Sequence, residues 1–167
     1  NIVGVVGVGQ DITKRKLAEA ELANMASGLQ TFIDTANAPI FGIDKKGLVN
    51  EWNIKAAEIT LYTKEEVMGR NLVDEFITSE YKDAVKEVLD DALKGKEAAN
   101  FEFPLFTKHQ ERVEVLLNAT TRRDASGDIV GVVGVGQDIT EKKKGEAELS
   151  RVAQDLRALI DTANAPI

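Results

Sequence analysis

Apolar residues at alternating spacings of three and four mark two stretches of the chain, residues 14–36 and residues 141–163. Such spacing places the apolar side chains on one stripe of a helix and is typical of a coiled-coil seam. The pattern predicts two long helices that associate through this stripe, although a helix that packs on its own domain gives the same periodicity. The predicted seam residues are Leu22, Met25, Leu29, Phe32 and Ala36 in the first helix and Leu149, Val152, Leu156, Leu159 and Ala163 in the second.

Between these helices the pattern predicts a strand, a turn and a strand in APIFGIDKKGLVNEWN, followed by the helical segments IKAAEITLY, TKEEVMG and SEYKDAVKEVLDDALKG. In TKEEVMG, Glu66 follows Thr63 by three residues, which is the spacing of a capping box. The last segment is amphipathic, and we expect Ser79 to cap it and Gly95 to end it. Its apolar stripe contains Val85, Val88, Leu89 and Ala92.

Three further strands are predicted after these helices. NFEFPLFT and RVEVLLNATTRRD have apolar residues at alternate positions, as expected when one face of a strand is buried. IVGVVGVG is apolar throughout, so we expect it at a central position covered on both faces, with glycines that let a helix pack closely. The order of elements indicates an α+β fold. The alternating residues are Phe101, Phe103 and Leu105 in the first strand and Val113, Val115 and Leu117 in the second.

Two segments of the chain are repeated. IVGVVGVGQDIT occurs at residues 2–13 and again at residues 129–140, and IDTANAPI occurs at residues 33–40 and 160–167. Both pairs are 127 positions apart, and 27 of the first 40 residues are identical to the last 40. We therefore predict one period of a tandem array. Its segments are the last strand of a preceding repeat (1–13), a linker helix (14–36), a core (37–140), a second linker helix (141–163) and the start of the next repeat (164–167).

The first copy of the repeated strand has no sheet of its own if the preceding repeat is missing. The chain does not begin with Met, so we expect a fragment of a longer protein. We predict that this strand either pairs with an exposed sheet edge or takes the last-strand position in another molecule. The expected assembly is a homodimer or a chain of molecules.

Composition limits the class of protein. The chain has 167 residues, of which 43% are hydrophobic and 29% are charged, which suits one ordinary core. The net charge of −7 argues against nucleic-acid binding. The chain contains no cysteine, which excludes disulfides, thiolate metal sites and cysteine adducts. No apolar run reaches the ~18 residues of a membrane span and no secretory leader is present, so we expect a cytoplasmic protein that does not bind a membrane.

The chain contains two local motifs, GLVNEWNIKAAEITLYTKEEVMGRNL and GDIVGVVGVGQDIT. Together with the order of the elements, these motifs resemble the PAS family of sensor and interaction domains over about residues 33–140. The resemblance implies a five-stranded antiparallel sheet with helices on one face, which enclose a pocket. It also implies that the coiled-coil-type linker helices at both ends pass signals between neighbouring modules.

Within that family, YTKEEVMGRNL is similar to the light-oxygen-voltage subfamily, whose flavin-reactive cysteine follows Gly-Arg-Asn. Here Leu72 stands in the position of that cysteine, so no covalent adduct can form. The flavin-holding amides of the subfamily fall on Leu105, Val115 and Gly136, and Gln137 is one position out of register and should face the other side. Each lost amide would leave a buried polar edge of the flavin unpaired, at ~1–3 kcal/mol. The sequence therefore argues against flavin.

The residues also argue against haem binding, acid–base catalysis and metal binding. The family's haem-binding members use an axial ligand that is usually His, and we expect the single His109 in an exposed hairpin turn rather than as a ligand. Trp52 is expected in the core, and Asn118 and Thr120 should face outward by alternation. Adjacent carboxylates in the predicted helices point about 100° apart and do not form an acid–base pair. We expect no enzyme activity and no metal site.

The sequence leaves two functional hypotheses. The first is a non-enzymatic module that transmits signals and mediates self-association, in which Asp138 and Thr140 pass movements of the sheet to the following helix and the seam residues carry the contact. The alternative is a sensor of an apolar small molecule, although ordinary core packing explains the same apolar residues. The residues expected to line its pocket are Phe101, Phe103, Leu105, Val115, Leu117 and Val133, with Asn71 as a polar handle.

Overall fold

The computed structural model describes residues 3–165. Residues 1, 2, 166 and 167, which belong to the predicted repeat segments at the two ends, lie outside the described residues. The chain divides into two units, residues 1–34 and residues 35–167. The elements are α1 (Thr13–Thr35), β1 (Ile40–Asp44), β2 (Val49–Trp52), α2 (Ile54–Thr60), α3 (Lys64–Val67), α4 (Leu72–Phe76), α5 (Lys82–Leu93), β3 (Ala98–Phe106), β4 (Arg112–Arg123), β5 (Ile129–Asp138) and α6 (Thr140–Ala163).

The five strands of the second unit form one antiparallel sheet in the order β2-β1-β5-β4-β3. This confirms the α+β class, the five-stranded sheet and the central position of β5. One expectation about β5 was wrong, because its outer face is only partly covered. Val133 is half-buried there, and Val135 is 40% exposed.

Alternation along the strands separates an inner face from an outer face. Helix α5 packs on the inner side of β3, β4 and β5, and Val85, Leu89 and Ala92 of its predicted stripe are buried. These residues form one core with inner-face side chains of the sheet, which is the expected arrangement for a sheet covered by helices on one side. The buried inner-face residues are Ile43, Val49, Trp52, Phe103, Val115, Leu117, Ala119 and Val132.

The glycines of β5 leave room for side chains of the neighbouring strands. A Cβ atom on Gly134 would lie 2.3 Å from two ring atoms of Phe41, and a Cβ on Gly136 would lie 3.0 Å from Cγ of Pro39. Both neighbours belong to β1 or the residue before it. The expected explanation, close packing of a helix on these glycines, was therefore wrong.

The helix ends follow the sequence signals in most places. The capping box of Thr63 and Glu66 is present, and Gly95 has a φ of 89° just after α5, where glycine is favoured. Ser79 does not cap α5, because the helix begins after Tyr81, which makes no side-chain capping bond. Helix α4 was missed in the sequence, where only Asn71 before it signals a helix start.

Helices α1 and α6 begin and end within one residue of the two helices predicted at residues 14–36 and 141–163, although Ala36 falls just outside α1. All residues of both helices are described, and none of them is buried. For α6 this excludes the alternative in which the seam packs on its own domain. Residues 3–12, before α1, are exposed and form no helix or strand.

Candidate functional site

A small cavity lies on the inner face of the sheet, under helix α2. Its volume is about 50 Å³, and its surface is apolar. Leu105, Val115 and Gly136 meet at this cavity, so the three positions that correspond to flavin-holding amides surround one space and carry no amide. The full lining is Pro39, Phe41, Trp52, Ala56, Ile59, Thr60, Phe103, Leu105, Val115, Leu117 and Gly136.

Four of the predicted pocket residues line this cavity, namely Phe103, Leu105, Val115 and Leu117. Phe101 is half-buried on the same face and stacks on Phe103, with ring centroids 5.7 Å apart, but it does not reach the cavity. The prediction for Val133 was wrong. Its neighbour Val132 is the inner-face residue, and a strand turns successive side chains to opposite faces.

Asn71 does not serve this cavity, because both ends of its amide are used in holding the backbone. Its Oδ1 accepts hydrogen bonds from the N–H groups of Val73 at 3.1 Å and Asp74 at 3.0 Å, and its Nδ2 donates to the carbonyl oxygen of Lys46. The expected polar handle is a helix cap that joins α4 to the β1–β2 turn. It borders a different cleft, of about 150 Å³.

The structure shows where the residues that replace the flavin-binding pattern lie and which way they face. Leu72, in the position of the reactive cysteine, is buried in the core as the first residue of α4. Gln137 pairs with Leu116 on the outer face, which confirms that it points away from the cavity. His109 is exposed in the turn between β3 and β4, as expected. Among the described residues, no group of three His, Asp or Glu side chains could hold a metal ion.

Sequence reasoning missed Asn53, which organises one edge of the cavity. This side chain is fully buried. Its Oδ1 accepts from the N–H groups of Ile40 and Ala56, both at 2.9 Å, and its Nδ2 donates to the carbonyl oxygen of Ala38 at 2.8 Å. Asn53 thereby fixes the entry to β1 against the start of α2. An asparagine directly before a helical segment was the available signal.

The junction between β5 and α6 is tied to the sheet at two points. The carboxylate of Asp138 accepts the N–H of Thr140 at 2.9 Å. Oγ1 of Thr140 accepts the N–H of Glu114, in β4, at 3.0 Å, and the N–H of Ile139 donates to the Glu114 carbonyl oxygen at 2.9 Å. The first turn of α6 is therefore connected to β4 as well as to β5.

Ion pairs lie next to this junction. Lys143 of α6 contacts Glu102 of β3 at 2.6 Å, and this hydrogen bond raises the pKa of Lys143. Arg112 contacts the side chain of Glu114 at 2.6 Å, which raises the pKa of Arg112. Such exposed pairs contribute little to stability individually. The pair of Lys143 and Glu102 nevertheless joins the first turn of α6 to the outer face of β3.

The seam residues of α1 and α6 are solvent-exposed in the single chain. Their exposed fractions range from 44% for Val152 to 75% for Phe32. Each helix by itself carries large apolar side chains at regular spacing on an exposed face, and such a face marks an interaction site. The residues are Leu22, Met25, Leu29 and Phe32 in α1 and Leu149, Val152, Leu156 and Leu159 in α6.

Comparison with known proteins identifies the family. A family model described as the PAS fold matches residues 28–139. The chain belongs to the PAS family. PAS domains are sensory modules of signal transduction, and the helix-covered sheet and inner-face cavity of this chain are the corresponding parts of the fold.

A phytochrome from Pinus sylvestris is 38% identical over 148 residues, which cover 86% of this chain but only 13% of the phytochrome. A PAS domain from Colwellia psychrerythraea superposes with a TM-score of 0.63 at 17% identity, covering 70% of this chain and 98% of that one. An RNA-binding light-oxygen-voltage receptor superposes with a TM-score of 0.62 at 16% identity, covering 92% of this chain and 42% of the receptor. At these identities the two structures establish similarity of fold alone.

Proposed function

We propose that this PAS domain is a non-enzymatic module that relays signals and self-associates through the exposed seams of α1 and α6. The observation that carries the proposal is the exposure of all eight seam residues. At each aligned seam position both copies of the helix keep an apolar residue, whereas outside the seam Ser27 of the first copy is replaced by Gln154 in the second. A partner helix that covers the seam would remove these side chains from water, worth up to ~1.5–3 kcal/mol for each fully buried one.

The β5–α6 junction supports the relay. Asp138 and Thr140 bind the first turn of α6 to two adjacent strands, so a shift of β4 against β5 displaces the start of the helix. A helix transmits such a displacement along its length as rotation or translation. We propose that Asp138 and Thr140 are the residues that pass movement from the sheet to α6.

The repeats support a place in a tandem array. In this proposal residues 1–13 complete a preceding PAS core, residues 14–36 and 141–163 are linkers, residues 37–140 are the core, and residues 164–167 begin the next one. The period of 127 residues accommodates one core and one linker. Adjacent repeats and further copies of the chain are the proposed partners.

The size of the inner cavity favours relay over small-molecule sensing. A volume of about 50 Å³ is far below the ~300–1,000 Å³ of typical ligand pockets. The proposal therefore treats the cavity as part of the core and includes neither flavin nor haem. A cytoplasmic location and the absence of nucleic-acid and membrane partners stay predictions. Among the described residues, no helix has the length and apolar character to cross a membrane.

Native mass spectrometry of the purified chain tests the proposal, because one spectrum gives both stoichiometry and bound mass. We expect a dimer or larger species with no added mass, and a shift to monomer for the double variant Leu29→Asp, Leu156→Asp. The matched control is Ser27→Asp, Gln154→Asp, which adds the same charge to the same helices outside the seam.

Two results would contradict this proposal. If the seam variant and its control assemble equally, the seams do not mediate association. A reproducible added mass of a few hundred daltons that is lost on denaturation would instead establish a sensor with a bound small molecule.

A further inference from the structure

The chain enters the core and leaves it at neighbouring positions. The entry segment, residues 37–39, follows α1 and leads into β1, and the exit segment, residues 136–140, ends β5 and begins α6. Because β1 and β5 are antiparallel, the start of β1 lies beside the end of β5, and the pair nearest to the entry is Ile40 with Val135. Residues of both segments line one open cleft on this side of the core.

Pro39 and Gly136 join the two segments. The N–H of Gly136 donates to the carbonyl oxygen of Pro39 at 2.8 Å. Proline has no N–H, so the second hydrogen bond of an antiparallel pair cannot form here. The ring of Pro39 lies against Gly136 instead, where an added Cβ would be 3.0 Å from Cγ of the ring. One hydrogen bond and one close packing contact therefore connect the entry segment to the exit segment.

This contact lies close to the hydrogen bonds that hold the start of α6. Gly136 is two residues before Asp138, whose carboxylate accepts the N–H of Thr140, and Oγ1 of Thr140 accepts the N–H of Glu114 in β4. A displacement of Pro39 therefore pulls on the end of β5 relative to β4. That is the movement of one strand against the other that the relay to α6 requires.

The two segments that are repeated letter for letter in the chain lie on the two sides of this contact. IDTANAPI contains the entry segment, and IVGVVGVGQDIT contains β5 and the start of α6. The linker sequence between them has changed much more, because residues 14–32 keep only 7 of 19 residues in the second copy. In a tandem array, the same contact can therefore form in neighbouring cores even though their linkers differ.

We propose that Pro39 and Gly136 form the input contact of the relay, through which the preceding linker controls the start of α6. A movement of the linker displaces the entry segment, Pro39 carries the displacement to Gly136, and the end of β5 shifts against β4. The signal then crosses the core along one edge, and its source is the neighbouring repeat rather than a molecule in the inner cavity. This inference rests on the proposed relay function and adds the input to it.

Hydrogen exchange in the full chain tests the contact. Gly136→Ala places a methyl group against the Pro39 ring, and we expect the amides of residues 143–147 to exchange at least about fivefold faster, with those of α5 unchanged. Adding Pro39→Ala removes the ring but keeps the carbonyl oxygen that accepts the N–H of residue 136. Exchange should then return to within about twofold of the original chain. The matched control is Gly9→Ala in the first copy, where no atom lies within 4 Å of the added Cβ.

The same amides report whether the linker supplies the input. Leu29→Asp disrupts the α1 seam and leaves the α6 seam intact. Because a linker released from its partner no longer holds the entry segment, we expect exchange at residues 143–147 to be at least about threefold faster than in the control Ser27→Asp. When Pro39→Ala is added to both variants, this difference should disappear.

Three results of the first experiment overturn the inference. These are unchanged exchange at residues 143–147 in Gly136→Ala, faster exchange that persists after Pro39→Ala is added, and equally faster exchange in α5, which would show a general loss of stability.

Native mass spectrometry of the Leu29→Asp variant separates this inference from the proposed function. If association falls but residues 143–147 exchange as in the control, the input contact is wrong and the seam stands. If association is unchanged, the seam proposal fails, and the effect of Gly136→Ala and its reversal by Pro39→Ala decide the input contact independently.

Discussion

Three hydrogen bonds of the Asn53 side chain join the entry of the sheet to helix α2. Because this amide is fully buried, Asn53→Ala leaves the N–H groups of Ile40 and Ala56 without their acceptor. We expect a loss of about 3 kcal/mol in the free energy of unfolding, measured by urea denaturation. Asn71→Ala also removes a helix cap, but at a half-buried site, and should cost only about 1 kcal/mol. Equal losses of unfolding free energy in the two variants would contradict the larger cost expected at the buried site.

The carboxyl group of Glu66 provides a second test at the scale of a single residue. Its contact with Lys108, together with the Thr63 N–H, lowers its pKa below the usual value of 4.5. A lowered folded pKa means that the carboxylate stabilises the fold above its unfolded pKa and that this contribution is lost as the pH falls through the folded value. In an NMR titration, Lys108→Gln should move the pKa of Glu66 back towards 4.5.

The control for this titration is Lys64→Gln. Lys64 begins the same helix but pairs with Glu51 at 2.8 Å, so its removal should leave the Glu66 titration nearly unchanged. A shift of equal size in both variants would mean that general charge, rather than the contact with Lys108, sets the pKa of Glu66.

At the scale of single elements, the repeated strand contains its own control. Gly134→Ala forces a methyl group to within 2.3 Å of the Phe41 ring, and overpacking of this kind costs about 1–3 kcal/mol. Gly7→Ala makes the same change in the same local sequence, but no atom lies within 4 Å of the added Cβ. At micromolar concentration we expect the melting temperature to fall for the first variant and to stay within error for the second. Equal melting temperatures would contradict the tight packing at Gly134.

Local periodicity predicted helices and strands correctly where the sequence pattern fits only one type of element. The capping box at Thr63 and the stripe on α5 rest on spacings of three and four residues, and the structure confirms both. Prediction was poorer where the outcome depends on a neighbour distant in the sequence. Strand β5 is apolar from Ile129 to Gly136, so alternation could not show that Val133 faces outward, and the side chain packed against Gly134 is the Phe41 ring of β1. Helix α4 is too short to show a period.

In the candidate site, too, a local motif predicted some positions, whereas others depend on residues distant in the sequence. The sequence placed Leu105, Val115 and Gly136 on one face through a family motif, and the structure brings them to one cavity. The sequence predicts Asn71 as the polar handle of that pocket. Its actual partners are backbone groups of α4 and of the β1–β2 turn, which only the folded chain brings together.

At the scale of the whole molecule, the relay requires that α6 respond to the sheet through few contacts. Thr140→Val keeps the shape of the side chain but removes the acceptor for the Glu114 N–H. We expect amide hydrogen exchange to quicken about tenfold at Glu114 and at residues 143–147 of α6, the equivalent of ~1.4 kcal/mol, with the protection of β1 and β5 unchanged. The matched control, Thr13→Val, alters the same position of the first copy and should leave these amides unchanged. Faster exchange at Glu114 alone would show that the bond holds the strand without holding the helix, and the proposed route from sheet to linker would be wrong.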